Sequence, residues 1–260
     1  MVKKTQLILF AISIFFLLTF FSPDAPSQTT SPYEQVPWSL RDHYTFDGTF
    51  LSLDYAKGNA ELRIRRQQEE DKISNMNPDV VVSAIGFAIE FADGRVITND
   101  MLGHGGETEF GREPINSALY GEAAVFSVRF TPYEGILVEH QITRFKNWNF
   151  LLIAINLANN SETPVIVTRI QSAILGTGSI CGLSENACVN SRNFVFRGGY
   201  PVYTHDDSAS MFMIHDPTRK IDIALGILPS GTANSRIKIQ PGGGRWQGTI
   251  ESSFSPGITV

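Results

Sequence analysis

The sequence is short of cysteine, of excess positive charge and of helical periodicity, and each shortage removes a class of protein. Two cysteines in 260 residues are too few for a disulfide-dense scaffold, and no second Cys/His pair stands at zinc-ligand spacing. Lys and Arg number 21 against 26 Asp and Glu, a formal charge of −5. That balance argues against a nucleic-acid partner, which needs clustered cations along a phosphate backbone. No serine lies in a Gly-x-Ser-x-Gly elbow, so the hydrolase nucleophile motif is missing. Gly242-Gly243-Gly244 leads into Arg245-Trp246 with no Gly-Lys-Ser/Thr, so it reads as a turn and cradles no phosphate. Charged residues make up 18% and hydrophobic ones 42%, which suits a globular chain and excludes a largely disordered one.

Long apolar runs are scarce as well, and the one present is N-terminal. Lys3 and Lys4 precede Leu7 to Phe21, where only Ser13 and Thr19 are polar, and Pro23, Asp24 and Pro26 follow. This is the layout of a secretory signal over residues 1–27, with Ala25 and Ser27 as small residues before a cut. The run is short for a spanning helix, which needs about 20 apolar residues. The expectation is a secreted or periplasmic protein. The alternative is a membrane anchor, should the segment stay uncleaved. In an oxidising compartment Cys181 and Cys188 are expected to form a local disulfide across a polar loop, with two free thiols as the alternative.

Residues 28–40 hold two prolines, Pro32 and Pro37, among Ser and Thr and read as a linker ahead of one domain at 41–260. The domain alternates apolar and polar residues strand after strand. Leu62 and Ile64 lie on one face, with Glu61, Arg63 and Arg65 on the other. Val80 to Phe91 is β-branched and aromatic, and Asp93-Gly94 after it is a hairpin signal. Ala123 to Thr131, Ile136 to Phe145, Phe150 to Leu157, Val165 to Leu175, Met211 to His215, Ile221 to Leu228, Ser235 to Ile239 and Gly248 to Ile250 follow, with turns between. Arg63 to Lys72 mixes charges of both signs and is expected at a solvated strand end and loop. With almost no helix after residue 40, the pattern predicts an all-β, two-sheet antiparallel sandwich.

The chemistry-bearing residues are scattered. Glu139 and His140 are neighbours on a predicted strand and must point to opposite faces. His205-Asp206-Asp207 and His215-Asp216 match no loop of known ligand order, so neither metal nor other cofactor is expected. The stretch Phe194 to Asp207 is richer. Arg197, Tyr200, Tyr203 and Asp206 surround Gly198-Gly199, combining rings for apolar sugar faces with charged groups for hydroxyls. These four are the candidate carbohydrate contacts. The alternative is a pair of core strand residues, Phe194 and Phe196, followed by a plain turn. The loops of Trp148 and Trp246 come next in order.

Three stretches carry a resemblance to a known family. Gly135 to Ile170 looks like paired strands joined by an N-x-S-x-x-P-V turn, here Asn159 to Val165, and returning with Arg169-Ile170. Phe196 to Tyr203 falls where an NGWQSWS-like turn is usual, with Pro201-Val202-Tyr203 in place of the Gln-Ser-Trp. Asp216 through Leu228 looks like a D-x-x-x-G-x-x-L-x-L-G-F-L hairpin. In this order they resemble the N-terminal β-supersandwich domain of glycoside hydrolase family 36, the α-galactosidase and raffinose-synthase group. The resemblance implies a galactose-mutarotase-like supersandwich. It also implies a carbohydrate-associated role without catalysis, because that family's two catalytic aspartates lie in a following barrel. Ser255-Pro256-Gly257 resembles a strand that leads onward in the family, so the domain is expected to stop short there and leave an unpaired edge. Two rival readings stand beside this one. One is a sugar-1-epimerase of the mutarotase kind, which needs a convergent His acid and Glu base. The other is a structural domain that docks on a barrel encoded elsewhere.

Overall fold

The computed structural model describes residues 14–20, 43–46, 51–58, 60–66, 80–104, 109–180, 188–197, 200–204, 211–216, 221–227, 233–242 and 245–260. Nearly all of them are antiparallel strand, as the alternation predicts. The largest sheet contains β2 (His43–Phe46), β3 (Leu51–Ala56), β4 (Glu61–Arg66), β5 (Val80–Phe91), β11 (Ile166–Ile180), β16 (Asn234–Gly242) and β17 (Arg245–Thr259). Its order is β16-β17-β11-β5-β4-β3-β2, with β6 (Val96–Thr98) paired to β5. A four-stranded sheet has the order β10-β9-β8-β7. Its members are β7 (Glu109–Ser117), β8 (Gly121–Arg129), β9 (Ile136–Phe145) and β10 (Leu151–Asn159). A five-stranded sheet has the order β1-β15-β14-β12-β13. It is built from β1 (Ile14–Phe20), β12 (Cys188–Arg197), β13 (Tyr200–Thr204), β14 (Met211–Asp216) and β15 (Ile221–Ile227).

The core is one continuous apolar cluster with contributions from all three sheets. Leu53, Tyr55, Leu62, Ile64, Ile85, Phe87 and Ile89 of the largest sheet join Phe126, Val138, Ile142, Ile153 and Ile155 of the four-stranded one. Even-numbered positions of β8 and β9 point inward, because Phe126 stands opposite Ile142 and Val128 opposite His140. The odd-numbered positions therefore form the outer face of the four-stranded sheet, and period-2 geometry fixes this once one face is buried.

Two expectations need correction. Residues 14–20, placed in a leader outside the fold, form strand β1, paired with β15 from Ile14–Ile227 to Phe20–Ile221. An uncharged aromatic and aliphatic run suits a strand as well as an export segment, and periodicity alone does not separate the two. Arg63 and Arg65 are not at a solvated end. Arg63 is buried, and Arg65 pairs at 2.7 Å with Asp54 on β3, which supplies the counter-charge. In the C-terminal part, β17 is paired on both sides, with β16 and with β11, and β16 is the outermost strand at that end of the sheet. Val260 and Val165 also exchange backbone hydrogen bonds. The single helix among the described residues, α1 (Asn99–His104) directly after β6, agrees with the expectation of almost no helix.

Helix α1 has a local cause. The Met101 N–H donates to Thr98 Oγ1 at 3.3 Å, which is an N-cap, and Asp100 lies in the first turn. Leu102 anchors the turn in the core. Thr98→Ala is expected to cost about 1 kcal/mol of stability, read as a lowered urea midpoint at unchanged slope. An unchanged midpoint would show that Leu102 packing alone holds the turn.

Candidate functional site

The outer face of the four-stranded sheet should be polar, because the opposite face is the one buried in the core. At one end it is the reverse. Ala123, Phe145 and Phe150 form a second, separate apolar cluster, with Leu152 packed against it. Ala123 and Phe145 meet as register partners of β8 and β9. Two turns close over these rings. In the β7–β8 turn, Ser117 Oγ accepts from the N–H groups of Leu119 and Tyr120 at 3.3 and 3.2 Å. Gly121 completes this turn with φ +76°, a left-handed conformation that suits glycine. The β9–β10 turn carries Trp148, whose indole N–H donates to the Tyr120 carbonyl at 3.1 Å and ties the turns together.

The result is a stepped aromatic surface. Tyr120 stands edge-on to Phe145 and Phe150, each with ring centroids 5.1 Å away. Trp148 meets Tyr120 at 5.8 Å and an interplanar angle of 86°. Phe145 and Phe150 are covered, whereas Trp148 remains 45% exposed, Tyr120 36% and Leu119 82%. Beside the rings, Lys146 Nζ and Glu122 Oε2 pair at 2.6 Å. Lys146 holds the Glu122 carboxyl below its ordinary range. Farther along the same face, Glu139 accepts from Gln141 at 3.1 Å and from Asn156 at 3.2 Å. Arg129 donates to it at 3.4 Å. Aromatic surface and fixed hydrogen-bonding groups thus share one face.

The residues proposed from sequence lie elsewhere. Arg197 ends β12 and is the register partner of Tyr200 on β13, while Tyr203 is opposite Phe194. The structure therefore brings Arg197 and Tyr200 together as backbone neighbours at the edge of the five-stranded sheet. Asp206 falls outside the described residues. So does Cys181, while Cys188 opens β12 opposite His215. The disulfide expectation thus lies outside what the structure describes.

Glu139 and His140 diverge as expected. Glu139 lies in the outer polar network, and His140 is fully buried in the core. There its Nδ1 and the Tyr55 hydroxyl are hydrogen-bonded at 3.1 Å, and Phe87 packs edge-on at 5.1 Å. His140 Nε2 has no partner among the described residues. Burial lowers the imidazole to about 3 and raises the Tyr55 phenol. A neutral ring sealed among aromatics has no route to a substrate, so this pair is a core feature.

Three turns meet at another end around an open depression of about 410 Å³ lined by Asp93, Arg95, Glu134, Ser161 and Thr163. Its cation is already matched: Arg95 pairs with Asp93 at 2.7 Å and with Glu134 at 2.8 Å. The Arg95 backbone N–H and guanidinium hold Asp93 below its ordinary range. Two carboxylates clasped by one guanidinium are poorly placed to act as acid and base on a glycosidic bond. Among the described residues no His/Cys/Asp/Glu group forms a metal cluster, and no helix is long and apolar enough to cross a membrane. Comparison of the chain with family models, curated proteins and solved structures gave no match.

Proposed function

We propose that the protein is an exported, non-catalytic carbohydrate-binding β-sandwich, akin to the head domain of a family-36 glycosidase, and that sugars dock on the outer face of the four-stranded sheet. The observation that carries this is the exposed Trp148–Tyr120 pair, propped on buried Phe145 and Phe150 on a face turned away from the core. Indole and phenol faces receive the C–H face of a pyranose, and the Lys146–Glu122 pair offers donors and acceptors to its hydroxyls. Such an open surface buries little of a ligand. The expected affinity is about millimolar for a mono- or disaccharide, roughly 4 kcal/mol.

The test is a titration with galactosides and a panel of other oligosaccharides, followed by tryptophan fluorescence. Trp148→Ala is expected to weaken binding about fivefold, in line with about 1 kcal/mol for a lost ring contact. Arg197→Ala and Tyr200→Ala should leave it unchanged. If those two abolish binding and Trp148→Ala does not, the site belongs to the β12–β13 hairpin. Release of aryl aglycone, or catalysed interconversion of sugar anomers, would replace the non-catalytic reading with an enzyme.

A further inference from the structure

Strand β1 occupies an unusual place. Its ladder runs only to β15, from Ile14–Ile227 to Phe20–Ile221. It also lies close to β10, the edge strand of the four-stranded sheet. One seven-residue strand therefore bridges two sheets that otherwise meet the core separately. On the β15 side, Ile223, Ala224, Leu225 and Ile227 are all buried. On the β10 side, Ile155 through Ala158 are buried, whichever face they point to. Strand β1 thus sits between β15, to which it is hydrogen-bonded, and β10, to which it is close, and the buried residues on both sides are apolar apart from Asn156. The present occupant is apolar too: Ile14 to Phe20 contains no charge and one hydroxyl, Thr19.

The same segment has the sequence layout of an export leader, with a cleavage site expected after Ser27. A cut there leaves β1 with no covalent hold. Unpaired strand edges recruit other strands. We propose that β1 is a displaceable strand, and that its seat between β10 and β15 is an acceptor slot for an extended, uncharged aromatic–aliphatic segment of another chain once the N-terminal piece is severed. Backbone bonds to β15 supply the affinity. The apolar walls supply the selectivity, because a charged side chain entering there would be buried without a partner.

The experiment uses the full chain with a protease site inserted between residues 28 and 40, cut after folding. The N-terminal fragment is expected to co-elute with the remainder, with the Ile221–Ile227 amides still protected from exchange. A synthetic peptide of residues 14–20, carrying lysines at its ends for solubility, should displace the fragment one for one and preserve that protection. A peptide with prolines at both positions 16 and 17 is the control. Successive N–H groups point to opposite strand edges, so one of the two prolines must remove a bond to β15. It should compete about tenfold more weakly, the equivalent of about one ladder bond. The proposal is overturned if the fragment separates on cutting while the β15 amides exchange as slowly as before. Equal competition by the proline peptide also overturns it.

Discussion

Acidification is expected to weaken the fold in a window where carboxylates have not yet begun to titrate, because of His140. Its imidazole is fully buried beside Tyr55 and Phe87, and burial lowers it from 6.5 to about 3. The sign follows from the depressed value. Between about 3 and 6.5 the unfolded chain binds a proton at this histidine and the folded chain does not. Stability is therefore complete above 6.5 and falls with pH below it, by about 1.4 kcal/mol per unit. About 2 kcal/mol should be lost between pH 6.5 and 5, with more at lower pH. The carboxylates held low in the fold act later. Asp93, Glu122 and Glu251 lose their contribution only as pH falls through and below their ordinary values of 3.8 to 4.5.

Denaturant titrations at intervals from pH 8 to 5 measure this slope. The paired substitution Tyr55→Phe/His140→Leu removes both polar partners and keeps an apolar core of similar shape, a change that can be nearly neutral for stability. Its pH dependence should be flat down to 5. A wild-type chain that is flat over the same range would show that the ring is reached by water and protonated in the folded state. Single replacement of either partner is a poorer test, because it strands the other group in the core.

How much of this was legible in the sequence depends on how each strand is buried. Val80–Phe91 and Ile136–Phe145 have the limits that their composition marks, because β-branched and aromatic residues continue to the turn signals. Strand β7 does not announce itself. Its sequence EFGREPINS contains a glycine and a proline, and most of its residues are exposed. That is a tolerable composition for the outermost strand of a sheet, where one set of backbone groups needs no ladder partner. Strand β3 hides for another reason: Asp54 is buried in it, and Arg65 on β4 with the Thr45 hydroxyl on β2 makes that acceptable.

The aromatic face shows the same limit at the level of the site. Tyr120 and Trp148 lie on different turns, and nothing in their spacing links them. The β8–β9 register does so, by setting Ala123 opposite Phe145. The sequence marks a tight cluster of rings and charges at 194–207 more loudly than a pair of turns far apart in the chain. The charged outer ladder of the large sheet is equally silent. Glu251 is only 2% exposed, and burial alone would raise its carboxyl. Its bond to Arg236 on the next strand, with Lys238 and Arg169 near, holds it low instead.

A single methyl group at residue 248 is expected to destabilise the protein more than the loss of the Thr98 cap. Gly248 lies on β17 between two partners, Ile239 of β16 and Leu175 of β11. A Cβ there would overlap the Lys238 backbone carbonyl and stand 2.8 Å from Ile239 Cδ1 and 3.1 Å from Ile239 Cα. The isoleucine tip can swing away. The carbonyl cannot, because it belongs to the β16–β17 ladder and moving it disrupts that pairing. Overpacking against fixed backbone places Gly248→Ala at about 3 kcal/mol. Gly58→Ala is the matched control, since a Cβ there meets nothing within 4 Å. That change should be neutral or stabilise by up to about 1 kcal/mol, through the reduced freedom of the unfolded chain. Thermal midpoints of the two variants separate the cases. If Gly248→Ala melts with the wild type, β16 does not hold its register against β17. Glu251 would then lose the partner that keeps its buried charge matched, and the Arg236–Glu251 pair would be the next contact to test.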